Sequence, residues 1–450
     1  MLIACNSPQD GSTEKKTETT PGSGKTQKLV HPDWSKNANI YEVNIRQYSK
    51  EGTFKAFEEH LPRLKKMDVD ILWLMPIFPI SEKNRKGSLG SYYAVRDYRD
   101  VNPEFGTMDD FRDLVDHAHQ LGFKVILDWV ANHSGWDNQM IFDHPDWYTH
   151  DSLGKMVSPF DWTDVADLNY ESEGLRDYMI GSLKFWVTEF DIDGYRCDVA
   201  GMVPTDFWER ARKELDGIKP VFMLAEAEQR DLHEKAFDMT YAWELHHIMN
   251  DIAEGKKDAN DIEAYIEKDK AGYPPDSYRM NFITNHDENS WNGTVKERMG
   301  DSFKAFAMLT YTLPGMPLVY SGQEIGLDKR LEFFEKDEIE WDFNSPLIGF
   351  YTKLNNLKTN NKALWNGLSG GDFQRVNTSD DKSVLAFVRE KEGNKVFVIV
   401  NLGPDSKTFD LTGEKYEGGF MELFSKRKTT FSSNTEMTLE PWGFRVFISI

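Results

Sequence analysis

Short apolar runs alternate with amphipathic stretches over much of the chain. The apolar runs fall at residues 40–44, 71–75, 125–130, 194–198, 221–226, 237–241, 281–285 and 317–320. Between them lie stretches with helical periodicity, for example residues 107–121 and 302–312. Runs such as ILWLM are apolar throughout, which is typical of parallel strands buried on both faces. Eight such runs alternating with helices predict a (β/α)8 barrel.

The pattern changes at about residue 371. From there, strand-like runs separated by turns dominate, as in SVLAFVREKEGNKVFVIVNLG at residues 383–403. This pattern predicts a C-terminal antiparallel β-sandwich. The third strand-to-helix connection, residues 133–169, is too long for an ordinary loop, and loops longer than about 15 residues are usually functional. We expect it to form a short inserted domain along one wall of a substrate cleft.

These patterns divide the chain into five parts. Residues 1–28 form a polar N-terminal segment, and residues 29–132 the first part of the barrel. The inserted domain (133–169), the second part of the barrel (170–370) and the β-sandwich (371–450) follow.

Charge and local motifs exclude several classes of partner. A formal net charge of -22 argues against nucleic acid or an anionic membrane surface and favours a neutral substrate. GSGKT at residues 22–26 lacks the first glycine and the preceding strand of a phosphate-binding loop. The adjacent His246 and His247 diverge on a helix, and no second ligand pair follows at metal spacing.

Three acidic residues each lie near the end of their own strand-like run: Asp198 in GYRCDVA, Glu226 in VFMLAE and Asp287 in NFITNHDE. A retaining glycosidase needs one carboxylate to attack the anomeric carbon and a second, protonated carboxyl about 5 to 5.5 Å away. Arg196 lies two positions before Asp198, so we expect the guanidinium to keep Asp198 ionised with a low pKa. Glu226 follows an apolar run, where desolvation favours the protonated form of a general acid.

Taken singly, such a carboxylate is more often a helix cap or a surface charge, but the set resembles the alpha-amylase family, glycoside hydrolase family 13. The match runs in order from about residue 40 to residue 450. DWVANH at residues 128–133 resembles the first family signature and GYRCDVA at residues 194–200 the second. Glu226 matches the third, and FITNHDE at residues 282–288 the fourth.

The resemblance implies a role for each matched residue. Asp198 would be the nucleophile, Glu226 the acid and base, and Asp287 the stabiliser of the transition state. The residues implied to position the sugar are Tyr93 of GSYYAVRDY, His133, Arg196 and His286. Trp136 and Trp162 are further candidate sugar platforms, with burial in the core as the alternative.

The chain departs from the family pattern at two places. Ser91 stands where many members carry a histidine that contacts the sugar, and Gly201 and Met202 stand where many carry a Lys-His pair. The family also implies calcium, for which Asn132 and Asp167 are the candidate ligands through side-chain oxygens. The alternative is two polar loop residues satisfied by hydrogen bonds.

The hypothesis is therefore a retaining hydrolase of α-glucosidic bonds, of the α-1,4 type, in starch-like glucans or maltooligosaccharides. The same chemistry also fits a transglycosylase, a trehalose-forming isomerase, or a sucrose or α-1,6 enzyme. A non-catalytic glucan-binding protein is the alternative of another class. Endo or exo action and the oligomeric state stay open.

The first residues predict a lipid anchor. LIAC at residues 2–5 fits a bacterial lipobox, and the polar run at residues 6–28 has the composition of a flexible tether. The basic and apolar regions of a signal peptide are absent, so we expect a start further upstream. The alternative is a chance match. The hypothesis is an extracytoplasmic enzyme attached to the membrane by lipid alone, since no run reaches roughly 20 apolar residues.

Overall fold

A computed structural model describes residues 29–450. The lipobox with Cys5 and the tether lie outside the described residues. Eight parallel strands close into a barrel, which confirms the predicted (β/α)8 fold. The strands are β1 (Ile40–Val43), β2 (Ile71–Leu74), β3 (Lys124–Val130), β6 (Gly194–Asp198), β7 (Phe222–Ala225), β8 (Met239–Tyr241), β9 (Tyr278–Asn281) and β10 (Met316–Tyr320). In spatial order the barrel runs β1, β10, β9, β8, β7, β6, β3, β2.

Helices alternate with the barrel strands along the chain. The α-helices are α1 (Ile45–Tyr48), α2 (Phe54–Glu58), α3 (Leu61–Lys66), α4 (Met108–Gln120), α5 (Met140–Asp143), α6 (Glu173–Phe190), α7 (Thr205–Asp216), α8 (Leu232–Lys235), α9 (Trp243–Ala253), α10 (Ala259–Gly272), α11 (Val295–Met299), α12 (Phe303–Thr312) and α13 (Pro346–Asn360). None of the helices within residues 29–450 is long and apolar enough to cross a membrane.

Helix α4 shows how local sequence sets an element. Thr107 caps its first turn: the Thr107 hydroxyl accepts from the Asp110 backbone N–H, and the Asp110 carboxylate accepts from the Thr107 N–H. This capping box satisfies donors that the first turn leaves free. The predicted apolar stripe, including Phe111 and Leu114, is buried. The helix leads directly into β3 and packs against it.

One predicted strand is displaced. The apolar run at residues 281–285 predicted the seventh barrel strand, but β9 spans Tyr278–Asn281. The pattern was misleading because Arg279 occupies the strand and is nevertheless buried, with its guanidinium 2.8 Å from Glu228 and 3.1 Å from Asp269. The apolar residues that follow belong to the turn leading to Asp287.

Two smaller parts complete the fold. In the inserted segment, β4 (His133–Gly135) pairs antiparallel with β5 (Val165–Asp167). The C-terminal part is an antiparallel sheet that curls around its own core, including Phe397 and Phe447, as predicted for a sandwich-like domain. Its strands are β11 (Gln374–Thr378), β12 (Val384–Lys391), β13 (Asn394–Asn401), β14 (Lys407–Thr412), β15 (Gly418–Glu422), β16 (Lys428–Phe431), β17 (Glu436–Leu439) and β18 (Phe444–Ser449).

Candidate active site

A cavity of about 570 Å³ opens where the barrel strands end. Its volume lies within the roughly 300–1,000 Å³ typical of small-ligand sites. The sequence-predicted residues that line it are Tyr93, His133, Asp198, Glu226, His286 and Asp287. The structure therefore brings together side chains from five separate strand ends or loops, as expected for a site at the carboxyl edge of a parallel barrel.

Arg196 lies beneath this cavity and is fully buried. Its Nη1 donates to Asp198 at 3.0 Å and to Asp128 at 2.8 Å, and its Nη2 lies 2.8 Å from Glu226. Cys197, between Arg196 and Asp198 in β6, points into the packed core. One guanidinium thus serves three carboxylates rather than Asp198 alone.

The predicted low pKa of Asp198 is wrong. Burial raises the pKa of Asp198 well above its ordinary value, and the nearby carboxylates Glu226 and Asp128 add to this, although Arg196 acts in the opposite direction. A single cation does not offset so many buried negative charges. Arg196 is therefore the cation that opposes protonation of Asp198, the candidate nucleophile.

The Glu226 carboxylate is held by a strained turn. Its Oε2 accepts from the backbone N–H of Val199 at 2.8 Å as well as contacting Arg196. Val199 has φ 36° and ψ 44°, a left-handed conformation that is unusual for a β-branched residue. Such strain persists only where the surrounding structure fixes it, and it concentrates at functional sites. Here the strained turn directs the backbone N–H of Val199, the residue after Asp198, at the Glu226 carboxylate.

His286 and Asp287 form a charged pair on the opposite wall. His286 Nε2 lies 3.3 Å from Asp287 Oδ2, and its Nδ1 contacts Glu42. Burial alone would lower the pKa of His286, but Asp287 and Glu42 raise it well above its ordinary value. Burial would raise the pKa of Asp287, but His286 more than offsets this and the pKa is lowered. An imidazolium therefore faces an ionised Asp287.

Tyr93 joins the two halves of the site. Its hydroxyl donates to Asp128 at 3.1 Å and lies 2.8 Å from His286 Nε2. Its ring stacks on His286, with centroids 5.6 Å apart, and on Phe333, with centroids 6.1 Å apart. The ring is thus fixed in position beside the cavity, where one face of a sugar can stack on it.

His133 is neutral in this site, because burial lowers its pKa to about 3. Its Nε2 lies 3.9 Å from Asp198 Oδ2, so it is placed to donate to a sugar hydroxyl rather than to add charge. Asn132 Nδ2 lies 3.3 Å from His133 Nδ1 and braces the ring. Trp162 packs edge-on against His133 and lines the cavity, whereas Trp136 lies outside the cavity lining.

The two candidate calcium ligands, Asn132 and Asp167, lie near each other where β4 pairs with β5. The backbone of Asn132 accepts from Leu168, and Asp167 pairs with His133 across β4 and β5. Together they supply one carboxylate and one amide, whereas calcium takes 6–8 oxygen ligands at roughly 2.3–2.6 Å. Within residues 29–450 no group of three His, Cys, Asp or Glu side chains is arranged to hold a metal. These side chains do not form a calcium cage by themselves.

Ser91, Gly201 and Met202, which depart from the family pattern, each line a concavity. Ser91 lines the cavity, and its hydroxyl accepts from the Tyr93 backbone at 3.1 Å, so it shapes the turn beneath the ring. Gly201 and Met202 line a second, open concavity of about 490 Å³. That concavity shares Val199 and Glu226 with the main cavity.

Sequence reasoning missed several residues of this site. Asp128 begins the DWVANH motif and Glu42 interrupts the apolar strand β1, so a charged residue within a buried run was the available signal. Lys86, Trp291 and Phe333 also line the cavity. Lys86 and Phe333 lie on loops and Trp291 lies in a short π-helix, all outside any motif, so no local signal marked them.

Several buried carboxylates gathered around one arginine at the carboxyl end of a parallel barrel are the arrangement of a barrel glycosidase. Residues 29–349 match the family described as "Alpha amylase, catalytic domain", and residues 373–446 match "Maltogenic Amylase, C-terminal domain". The first match covers more than half of the chain. The chain therefore belongs to the alpha-amylase family of glycoside hydrolases.

Individual relatives agree with this assignment. Alpha-amylase MalA of Haloarcula japonica is 27% identical over 414 residues, which cover 87% of this chain and 59% of that relative's length. The maltogenic alpha-amylase of Bacillus acidopullulyticus is 26% identical, covering 88% of this chain and 70% of the relative. A noncanonic maltogenic alpha-amylase, AmyB of Thermotoga neapolitana, superposes with a TM-score of 0.85 at 29% identity, covering 92% of this chain and 99% of that one.

Proposed function

We propose that this protein is a retaining hydrolase that cleaves α-1,4 bonds in starch-like glucans or maltooligosaccharides through a covalent glycosyl-enzyme intermediate. One observation carries the proposal: Asp198 and Glu226 face the same cavity and share one buried guanidinium, that of Arg196. Relatives named maltogenic alpha-amylase, cyclomaltodextrinase and neopullulanase support an α-glucan substrate.

The reaction has two steps. In the first, the Glu226 carboxyl gives its proton to the leaving oxygen while the Asp198 carboxylate attacks C1, so that the C1–O bond breaks and a glycosyl ester forms. In the second, Glu226 takes a proton from water, the water oxygen bonds to C1, and Asp198 leaves as a carboxylate. Negative charge thus moves between two groups that Arg196 contacts throughout.

The other side chains hold the reacting sugar. The ionised Asp287 accepts from ring hydroxyls and stabilises the positive charge that develops at C1. His286 and the neutral His133 donate to hydroxyls on either side, and Tyr93 supports the ring face. These groups are preorganised because each is fixed by a second contact, such as Glu42 on His286 and Asn132 on His133.

Transfer to a sugar acceptor is a second candidate activity. The open concavity beyond Glu226, lined by Gly201, Met202 and Trp243, has room for an acceptor that competes with water for the intermediate. A trehalose-forming isomerase and a sucrose or α-1,6 enzyme use the same intermediate. The assembled carboxylates argue against a role limited to glucan binding.

The experiment is product analysis from maltoheptaose by chromatography. We expect shorter maltooligosaccharides from the wild type, and turnover lost in Asp198→Asn with glucan binding largely retained. Asp410→Asn, an exposed change in the C-terminal sheet, is the matched control and should keep full activity. Longer products would favour transfer, and full activity of Asp198→Asn would overturn the site.

Calcium binding at Asn132 and Asp167 is proposed from the resemblance, and no catalytic step depends on it. Melting temperature with and without a chelator tests it. A melting temperature that falls with the chelator and is restored by added calcium supports the proposal. A melting temperature that the chelator does not change contradicts it.

A lipid anchor at Cys5 is proposed in the same way, from the LIAC motif and the tether composition. It would hold an extracytoplasmic enzyme at the cell envelope. Fractionation of bacteria that express the protein from a full-length gene should find it with membranes, and Cys5→Ser should release it. Equal release of both forms would contradict anchoring.

A further inference from the structure

The segment 82–89, here called the strap, lies in the connection between β2 and α4. It is tied to the inserted domain at two points. Lys86 Nζ lies 2.9 Å from Asp164 Oδ1, and the Glu82 backbone N–H donates to Asp137 Oδ2 at 2.9 Å. The Asp164 side chain is only 7% exposed, so the carboxylate of this pair is shielded from solvent, whereas the Lys86 side chain is 35% exposed. One end of the strap is therefore fixed to the wall that carries His133.

The other end of the strap is tied to the loop after β10. The Ser88 backbone N–H donates to Glu335 Oε1 at 2.8 Å, and the Leu89 N–H donates to the Phe334 carbonyl at 3.1 Å. Gly87 has φ 62°, and a Cβ there would lie 2.4 Å from the Phe334 Cβ. Glycine is required because the two loops approach this closely.

The strap thus crosses from one wall of the cleft to the other. Lys86, Asp164 and Phe334 line the main cavity. The second concavity, which begins at Glu226 and Val199, contains none of these three residues. The cleft is bridged on one side of the candidate catalytic pair and open on the other.

The proposed function gives these two sides a chemical meaning. Glu226 protonates the leaving oxygen, so the leaving sugars extend from Glu226 into the open concavity. The sugars bonded to Asp198 in the intermediate extend the other way, towards the strap. In an α-glucan, these are the sugars on the non-reducing side of the cleaved bond.

We propose, resting on the proposed function, that the strap closes the non-reducing end of the cleft. The enzyme then releases short maltooligosaccharides from non-reducing chain ends instead of cutting interior bonds. Lys86 and Asp164 are positioned to hydrogen-bond the hydroxyls of the terminal sugar, which an interior sugar lacks at O4. Both are specificity-determining residues, since they contact the end of the chain and not the bond that breaks.

The test compares two forms of maltoheptaose, one free and one with a cyclic acetal across O4 and O6 of its non-reducing terminal sugar. We expect kcat/KM of the wild type to be at least about tenfold lower for the blocked form. The acetal would clash with the strap, and its oxygens cannot donate hydrogen bonds. Lys86→Ala combined with Glu335→Ala loosens both ends of the strap and should reduce this ratio. Lys155→Ala, exposed in the inserted domain and outside the cavity lining, should leave the ratio unchanged.

The outcomes separate the two proposals. Equal cleavage of both substrates by the wild type would overturn the strap inference and leave the hydrolase intact. No cleavage of either substrate would overturn the proposed function itself. An unchanged ratio in the folded double variant would also overturn the strap, and Gly87→Ala, which forces the same loops apart, gives an independent check on that result.

Discussion

Arg196 lies as close to Glu226 as to Asp128: each carboxylate oxygen is 2.8 Å from a guanidinium nitrogen. The same side chain reaches Asp198 at 3.0 Å. Because it contacts both members of the catalytic pair, it stabilises the negative charge on whichever of them carries it. The planar fork of arginine makes this possible, and an ammonium group does not reproduce it.

Arg196→Lys should therefore impair catalysis while keeping the charge. We expect kcat on maltoheptaose to fall by about 100-fold or more, since an electrostatic contact in a buried site is lost. Steady-state kinetics with a melting curve measure this. Arg210→Lys, in which the original arginine pairs with acidic residues on the protein surface, is the control. A kcat within twofold of wild type in Arg196→Lys would contradict the shared role.

Glu226→Gln should lose most activity on substrates with a poor leaving group. We expect kcat/KM on maltoheptaose to fall by about 10²–10⁴-fold, because general acid catalysis is removed. A 4-nitrophenyl maltooligoside should suffer a much smaller loss in kcat/KM, since nitrophenolate leaves without a proton. Equal losses of kcat/KM on both substrates would mean that a residue other than Glu226 is the general acid.

Two variants of Tyr93 separate the contribution of its hydroxyl from that of its ring. Tyr93→Phe removes the hydroxyl contacts with Asp128 and His286 but keeps the ring. We expect kcat/KM to fall at least about three- to tenfold, because each of the two lost hydrogen bonds is worth about 0.5–1.5 kcal/mol net. Tyr93→Ala removes the ring as well, so its kcat/KM should fall further. If both variants behaved alike, the ring would have no role in holding the sugar.

Stability should depend on pH through His31, far from the site. His31 Nδ1 lies 2.7 Å from Asp238, and its Nε2 lies 2.8 Å from the Asp276 carbonyl. Burial lowers the pKa of His31, but Asp238 and Asp276 raise it more, so it lies above 6.5. The protonated form therefore stabilises the fold fully below about pH 6.5, and this stabilisation is lost as pH rises through the folded-state pKa.

The measurement is the melting temperature of His31→Gln and wild type across pH. We expect the wild type to be more stable at pH 5.5, with the difference shrinking towards pH 9. His247→Gln, which replaces an exposed histidine on α9, is the control for the substitution itself. A difference that grows with pH would contradict the assigned sign.

The fold could be predicted because apolar runs and helical stripes recur at barrel spacing. The prediction failed at β9, where the buried Arg279 belongs to a strand although its sequence looks polar. Burial of that arginine depends on Glu228 and Asp269, which no local pattern connects to it. Long-range pairing, not propensity, set this strand.

The site was predicted where its residues end strands, because parallel strands meet at one edge of the barrel. The prediction of a low pKa for Asp198 failed because the sequence showed only its near neighbour Arg196. Asp128 and Glu226 approach the same cation through the fold. The strap contact between Lys86 and Asp164 was missed for the same reason, since it joins two loops distant in sequence.

A covalent intermediate on Asp198 requires that the configuration at C1 is retained, and proton NMR of maltoheptaose cleavage detects this retention. Spectra taken within the first minutes resolve the anomer formed at each new reducing end, before mutarotation mixes the signals. We expect the α-anomer to form first, with chains shorter than the substrate. The β-anomer forming first would contradict it, because a single displacement by water inverts the configuration at C1.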